Sequence, residues 1–244
     1  MTAVCYNDND YSAQRFYYHF GGIMMLLEKD MKVINKTMER LRKNNMAAYY
    51  AETKAEVIPI IRRLMKEGET VTHGGSETIK QCGLIDLLKE GNYNYLDRSA
   101  AQTPEEAEKI MREAYFADTY LGSSNAITEG GLLYNVDGNS NRVSAYLYGP
   151  KQVILVCGYN KIVKDLDEAT YRVKEYASPQ NTKRLGCETY CSMNGECLSV
   201  GSDASYMCDG CRSEGRICCN YVICARQRHK DRIKVIIVGE KLGY

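Results

Sequence analysis

The sequence predicts an α/β fold: a mostly parallel sheet flanked by helices, with an antiparallel hairpin and a cysteine-rich insertion before the last strand. Three observations predict it. Strand-length apolar runs alternate with amphipathic segments of about ten to fifteen residues, the signature of βαβ units. "LLYNV" and "RVSAYLY" flank Asp137-Gly138-Asn139-Ser140-Asn141, good hairpin-loop chemistry. A fully apolar run, "IKVIIVG" (233–239), follows a stretch, 187–224, that holds eight of the eleven cysteines. A strand beyond those cysteines makes their segment an insertion within one domain, 23–244, rather than a tail.

Each element has its own signal. Residues 1–22 are rich in Tyr, Asn and Asp without period and read as a disordered or non-native extension. Gly21-Gly22 can be encoded by a ribosome-binding sequence just upstream of Met24-Met25, and mass spectrometry of the native N-terminus decides between those starts. Helical spacing begins at Ile23 and runs through Leu27, Met31, Ile34, Met38 and Leu41. "MAAYY" (46–50) reads as a strand, and Thr53-Lys-Ala-Glu56 as a capping box opening a helix that Gly68 closes. "TVTH" (70–73) is a strand, followed by Gly74-Gly75-Ser76 and a helix to Leu88. "YNYLD" (93–97) is a strand, Thr103-Pro-Glu-Glu106 caps a helix, and "ADTYLGSS" (117–124) is a strand. "QVILVC" (152–157) and a helix from Asp165 to Tyr176, ended by Pro179, resume the alternation.

Charge and length exclude several classes. Lys plus Arg (32) nearly balances Asp plus Glu (31), which predicts neither a nucleic-acid nor an anionic-membrane partner. The absence of a long apolar run and of a leader-like N-terminus predicts no membrane span and a cytoplasmic location. There thiols stay reduced, so clustered cysteines read as metal ligands or redox groups before structural disulfides.

Three stretches carry candidate chemistry. In "HGGSET" (73–78), glycines let the backbone approach a ligand, and Ser76 and Thr78 add hydroxyls for a small anion; the alternative is a tight turn with Ser76 as N-cap and His73 packed. "GSSNAITEGGLLYNVDGNSNR" (122–142) follows a central strand, where open α/β sheets collect ligands. Its Glu129, Asn125, Asp137, Asn139, Asn141 and Arg142 would line a crevice, with Glu129 a candidate base or nucleophile; the alternative is that Thr128-Glu129-Gly130-Gly131 is a solvated turn. In the cysteine stretch, Cys208-x2-Cys211 is the tight pair, with Cys191, Cys197 and Cys218 near enough to complete four thiolates. Zinc and an iron-sulfur cluster both remain open. Cys82 and Cys157 lie on apolar faces and read as core. No GxGxxG fingerprint for NAD or FAD occurs.

"GGSETIKQCGL", "GNYNYLDR", "GSSNAITEGGLLYNVDGNSNRVSA", "YGPKQVILVCGYNKIVKDLDEA" and "DRIKVIIVGEKLGY" occur in that order. Together they resemble the LUD domain, named for lactate utilisation, over about Met31 to Tyr244. The resemblance implies the NagB/RpiA/CoA-transferase-like fold and a place beside iron-sulfur oxidoreductase subunits that oxidise lactate to pyruvate. It implies ligand-binding roles for Gly74, Gly75, Ser76, Thr78, Asn125, Thr128, Gly130, Asn135, Asp137, Asn139 and Arg142. By analogy with the wider superfamily, which binds phosphorylated sugars, CoA thioesters or folates, Glu129 is the nucleophile candidate. The family-like cysteine set is Cys191, Cys197, Cys211 and Cys218. The sequence departs from that pattern through an insertion, "LSVGSDASYMCDG", and through additional cysteines, which makes Cys208 and Cys187 alternates.

Overall fold

The computed structural model describes residues 18–20, 23–25, 28–200 and 207–244. In chain order, β1 (Tyr18–Phe20) pairs antiparallel with β2 (Ile23–Met25), and α1 (Glu28–Lys43), β3 (Ala47–Ala51), α2 (Val57–Leu64) and β4 (Thr70–His73) follow. Next come α3 (Glu77–Gln81), α4 (Leu84–Lys89), β5 (Asn94–Tyr95), α5 (Pro104–Glu113), β6 (Thr119–Gly122), β7 (Ala126–Thr128) and β8 (Leu133–Asp137). The chain ends with α6 (Asn141–Leu147), β9 (Gln152–Gly158), β10 (Ile162–Val163), α7 (Leu166–Arg172), α8 (Ser178–Leu185), α9 (Tyr190–Asn194), β11 (Asn220–Cys224) and β12 (Ile233–Val238).

The main sheet is wholly parallel, in the order β3-β12-β9-β6-β4-β5. Helices cover both faces, which explains why β9 and β12 are apolar without interruption. Their residues divide by the two-residue period of a strand. Val153, Leu155, Val235 and Ile237 pack with Ile34, Met38 and Leu41 of α1 on one face. Ile154, Val156, Ile236 and Val238 pack with Val57 and Ile61 of α2 and Leu84 and Leu87 of α4 on the other. Each such fully buried side chain contributes about 1.5–3 kcal/mol. The last strand therefore lies inside the sheet, between the edge strand β3 and β9, and the cysteine segment is an insertion.

A second sheet, β10-β7-β8-β11, is mixed. It contains the expected antiparallel ribbon with different partners. Residues 142–148 form α6, and β8 pairs instead with β7 and with β11 from the cysteine segment. The alternation of Val143, Ala145 and Leu147 resembles a strand, but Val143 and Tyr146, one helical turn apart, are buried while Leu147 is exposed. The Asp137 carboxylate accepts from the Val143 amide and so caps α6, a role that the Ser140 side chain does not take.

Other boundaries also differ. Helix α1 begins at Glu28, where Glu28 and Asp30 complement the helix dipole, rather than at Ile23; Leu27 lies outside the described residues. Thr53 makes no side-chain cap, and its helix opens through a 3-10 turn. The helix expected to reach Leu88 breaks at Gly83, which has φ +67, into α3 and α4. Pro179 does not end a helix. It sits in the first turn of α8, where a missing N–H disrupts nothing, after a π-helical turn over Val173–Ala177.

The Thr128-Glu129-Gly130-Gly131 turn docks on the end of α1. Asn44 donates to the carbonyls of Gly130 and Gly131, and the Thr128 hydroxyl accepts from the Leu132 amide. Gly131 has φ +77, and a Cβ there would come within 2.7 Å of the backbone of Arg40 and Leu41. Gly131→Ala combines left-handed strain with a clash against main chain and should cost about 2 kcal/mol or more in urea denaturation. A change of a few tenths would contradict this packing.

Candidate functional site

A cavity of about 430 Å³ opens at the carboxyl ends of the main-sheet strands. Its walls are the segments that leave those strands: Gly74 to Thr78 after β4, Ser123 to Asn125 after β6, Lys161 after β9, and Gly243-Tyr244 after β12. The β8–α6 connection supplies Asp137 to Asn139, Asn141 and Arg142, and the cysteine segment supplies Arg216, Ile217 and Cys219. This is where a parallel α/β sheet leaves strand ends free for a ligand.

Most residues singled out from the sequence meet here. Gly74, Gly75, Ser76, Thr78, Asn125, Asp137, Asn139 and Arg142 all line the cavity. Ser76 also caps α3, accepting from the Ile79 amide. Asn135 lies behind the wall, fully buried; it donates to the Ser124 hydroxyl and accepts from Arg142 Nη1 at 2.7 Å. Arg142 Nη2 donates to Asn125 Oδ1 and to the Val136 carbonyl, and Asp137 lies 3.6 Å from Nε. These acceptors fix Arg142 and occupy most of its donors. His73 is held by its neighbours: Nδ1 faces the Gly74 carbonyl at 2.8 Å, and Nε2 faces the Tyr95 hydroxyl at 2.7 Å. A carbonyl only accepts, so in the neutral ring Nδ1 carries the proton and Nε2 accepts.

Thr128, Glu129 and Gly130 are not among the residues that line the cavity. They form the turn against α1, and the Glu129 carboxylate pairs with Lys36 at 2.7 Å. Of the two glycines after Glu129, which made it read as an open carboxylate, Gly131 serves the close approach to α1.

The residue that sequence reasoning missed is Lys161. It is 4% exposed, and its Nζ donates to Thr78 Oγ1 at 3.1 Å and Ser123 Oγ at 3.0 Å. No carboxylate among the described residues lies within ion-pair distance of it. Burial pushes its pKa from 10.5 down to about 8; Cys157 opposes that shift, and Arg172 and Arg142 add to it. A lysine set between Tyr159 and Ile162-Val163, just after the most apolar strand, was the available signal. The backbone of Gly243 closes over it: at φ +58, a Cβ there would lie 2.5 Å from Thr78 Oγ1 and 3.2 Å from Lys161 Nζ.

Five cations line the cavity, Arg98, Arg142, Lys161, Arg184 and Arg216, against two carboxylates, Glu77 and Asp137. Glu77 is 3.7 Å from Arg184, and Asp137 faces Arg142. Arg216 donates to the carbonyls of Cys208, Cys211 and Cys218. Lys161 and Arg98 retain donors for a ligand, and the site favours an anion.

Cys191, Cys197, Cys211 and Cys218 line a second, much smaller void of about 10 Å³. Cys208 and Cys187 do not. Burial raises the Cys218 thiol, whereas at Cys211 burial is outweighed by hydrogen bonds from Ser213, and the thiol falls below its ordinary value. The donor set suits a thiolate-bound metal, but among the described residues no three His, Cys, Asp or Glu side chains are arranged to hold one ion. The Lys174 amine ties this segment together through Ser199 Oγ and the Asp209 carbonyl, and Ser178 lines both cavities. Cys82 and Cys157 are buried in the core, as expected.

Lys161 gives the fold a defined pH signature. Its folded pKa lies below its unfolded one, so the unfolded state binds more protons between about pH 8 and 10.5, and stability contributed through this group rises with pH across that window. Lys161→Met removes the buried charge. In urea denaturation it should be more stable than the wild type at pH 7, with the difference vanishing above pH 10.5. An unchanged or reversed difference would show that the amine is not desolvated.

No curated protein matches the chain. Among solved structures, a DUF162 family protein from Deinococcus radiodurans is 14% identical, with a TM-score of 0.49 over 86% of this chain and 98% of that one. The eIF2B delta subunit from Chaetomium thermophilum is 15% identical, with a TM-score of 0.33 over 55% of this chain and 52% of that one. No helix among the described residues is long and apolar enough to cross a membrane. The LUD domain model matches residues 34–238, from α1 through the last strand of the main sheet, and the chain belongs to the LUD domain family.

Proposed function

We propose that the chain is the ligand-holding LUD subunit of a cytoplasmic iron-sulfur complex that oxidises lactate or a similar 2-hydroxy acid. The observation that carries the reading is the cationic cavity at the strand ends, in which the buried Lys161 has hydroxyls but, among the described residues, no carboxylate for partners. A small carboxylate supplies the missing negative charge and accepts from Lys161 and Arg98. The family's name supports a 2-hydroxy acid as that carboxylate. The family resemblance supports iron-sulfur oxidoreductase partners as the carriers of the electrons.

The family resemblance assigns zinc or an iron-sulfur centre to the four cysteines around the small void, whose side chains would have to converge to hold it, since no three of the described side chains are placed around one ion. Either would supply a staple between α8–α9 and the segment leading to β11, and an iron-sulfur centre would also supply an electron-transfer site. A void of about 10 Å³ is near the space of one water, which favours a single ion over a cluster.

A second reading has one observation in its favour: about 430 Å³ exceeds the needs of a three-carbon acid and falls in the range of drug-sized ligands. A phosphorylated sugar or a CoA thioester, handled by a transferase or isomerase, would fill more of it. Glu129, outside the cavity and paired with Lys36, does not supply the nucleophile for that chemistry.

Calorimetric titration separates these readings. Lactate and pyruvate should bind the wild type, and Lys161→Met should weaken binding roughly tenfold or more, consistent with a charge-assisted hydrogen bond of about 1.5–3 kcal/mol. Binding of CoA esters or sugar phosphates without lactate or pyruvate would favour the second reading, and no binding of any would defeat both. Metal analysis of anaerobically purified protein should find zinc or iron that is lost in Cys211→Ser. A metal-free, fully folded wild type would contradict the metal assignment.

A further inference from the structure

We propose that Lys161 is a carbonyl-reactive amine that forms an imine with a small 2-oxo carboxylate held in the large cavity. The proposal rests on the anion-binding reading above and deepens it by naming the reacting atom and the substrate class. Three features carry it. The side chain is buried, yet it lines the cavity, so its amine meets a ligand without a shell of bulk water. Its two protein partners are hydroxyls, Thr78 Oγ1 and Ser123 Oγ, which accept from the ammonium and can donate to or relay a proton from a neighbouring oxygen. Among the described residues no carboxylate pairs with it to hold it permanently charged. Desolvation adds to this: with the pKa lowered to about 8, about a tenth of the amine is neutral at pH 7.

The step balances without a redox partner. The Nζ lone pair attacks the carbonyl carbon, a C–N bond forms, and the carbonyl π pair moves to oxygen. A proton passes from nitrogen to that oxygen, with the Ser123 or Thr78 hydroxyl placed to relay it. A second proton, taken up from solvent through the same hydroxyls, lets the carbinolamine hydroxyl leave as water while the nitrogen lone pair forms the C=N bond, leaving an iminium and no net oxidation. That iminium is an electron sink at the former carbonyl carbon, which stabilises negative charge developing beside it. The ligand carboxylate meets Arg98 at the rim and the fixed positive field of Arg142.

The test incubates the whole chain with pyruvate, quenches aliquots with sodium borohydride, and maps the adduct by intact-mass and peptide mass spectrometry. A single adduct should map to Lys161. Its rate of formation should rise about fifty-fold from pH 6 to pH 8, following the neutral fraction of the amine. Lys161→Arg and Lys161→Met, checked for folding by circular dichroism, should show only the background of exposed lysines. Adduct spread equally over surface lysines in wild type and Lys161→Arg would overturn the proposal. Calorimetric pyruvate binding without an adduct would overturn the imine and leave the anion-binding reading standing, whereas neither binding nor adduct would overturn both.

Discussion

The structure depends on the insertion of the last strand between two earlier ones. β12 hydrogen-bonds to β3 on one side and to β9 on the other, and its alternate residues join the cores on both faces of the sheet. Without β12 the sheet is split, and neither α1 nor the α2–α4 layer has a complete surface to cover. Because β12 comes last, everything between β9 and it, the cysteine segment included, must leave the sheet and return. On that return path β11 completes the second sheet, and Arg216, Ile217 and Cys219 close one side of the cavity.

The cavity is therefore made of exits from the parallel strands and a wall from the insertion. Its electrostatics follow from burial. Arg142 is held in place by Asn135, Asn125 and Asp137, so it serves as a fixed positive charge more than as a free donor. Lys161 is different because its partners are hydroxyls, which stabilise an ammonium less than a carboxylate does. An anionic ligand is the group that completes this arrangement. Arg216 links the two cavities physically, since a guanidinium that lines the larger one is held by the carbonyls of Cys211 and Cys218, which line the smaller one, and of Cys208.

Much of this was legible in the sequence where one local signal governs. The apolar runs of β9 and β12 admit only a strand covered on both faces, and Thr103-Pro104 caps α5 as its residue types require. The glycine and hydroxyl pattern of 74–78 and the polar residues of 125–142 marked most of the cavity wall. The failures came where tertiary contacts decide. Val143, Ala145 and Leu147 alternate, yet the Asp137 cap and the burial of Tyr146 make that segment helical. Glu129 looked open because of its glycines, of which Gly131 lets the turn approach the α1 backbone. Lys161 carried no motif, since its importance comes from being brought beside Thr78 and Ser123, residues distant in sequence.

The central claim is that a small carboxylate binds at the strand ends against Lys161. A crystal structure of the protein with bound pyruvate tests it most directly. The account predicts pyruvate between Gly74–Thr78 and Ser123–Asn125, with its carbonyl carbon at or bonded to Lys161 Nζ and its carboxylate turned toward Arg98. Pyruvate bound elsewhere on the chain, with Lys161 still hydrogen-bonded only to Thr78 and Ser123, would contradict it.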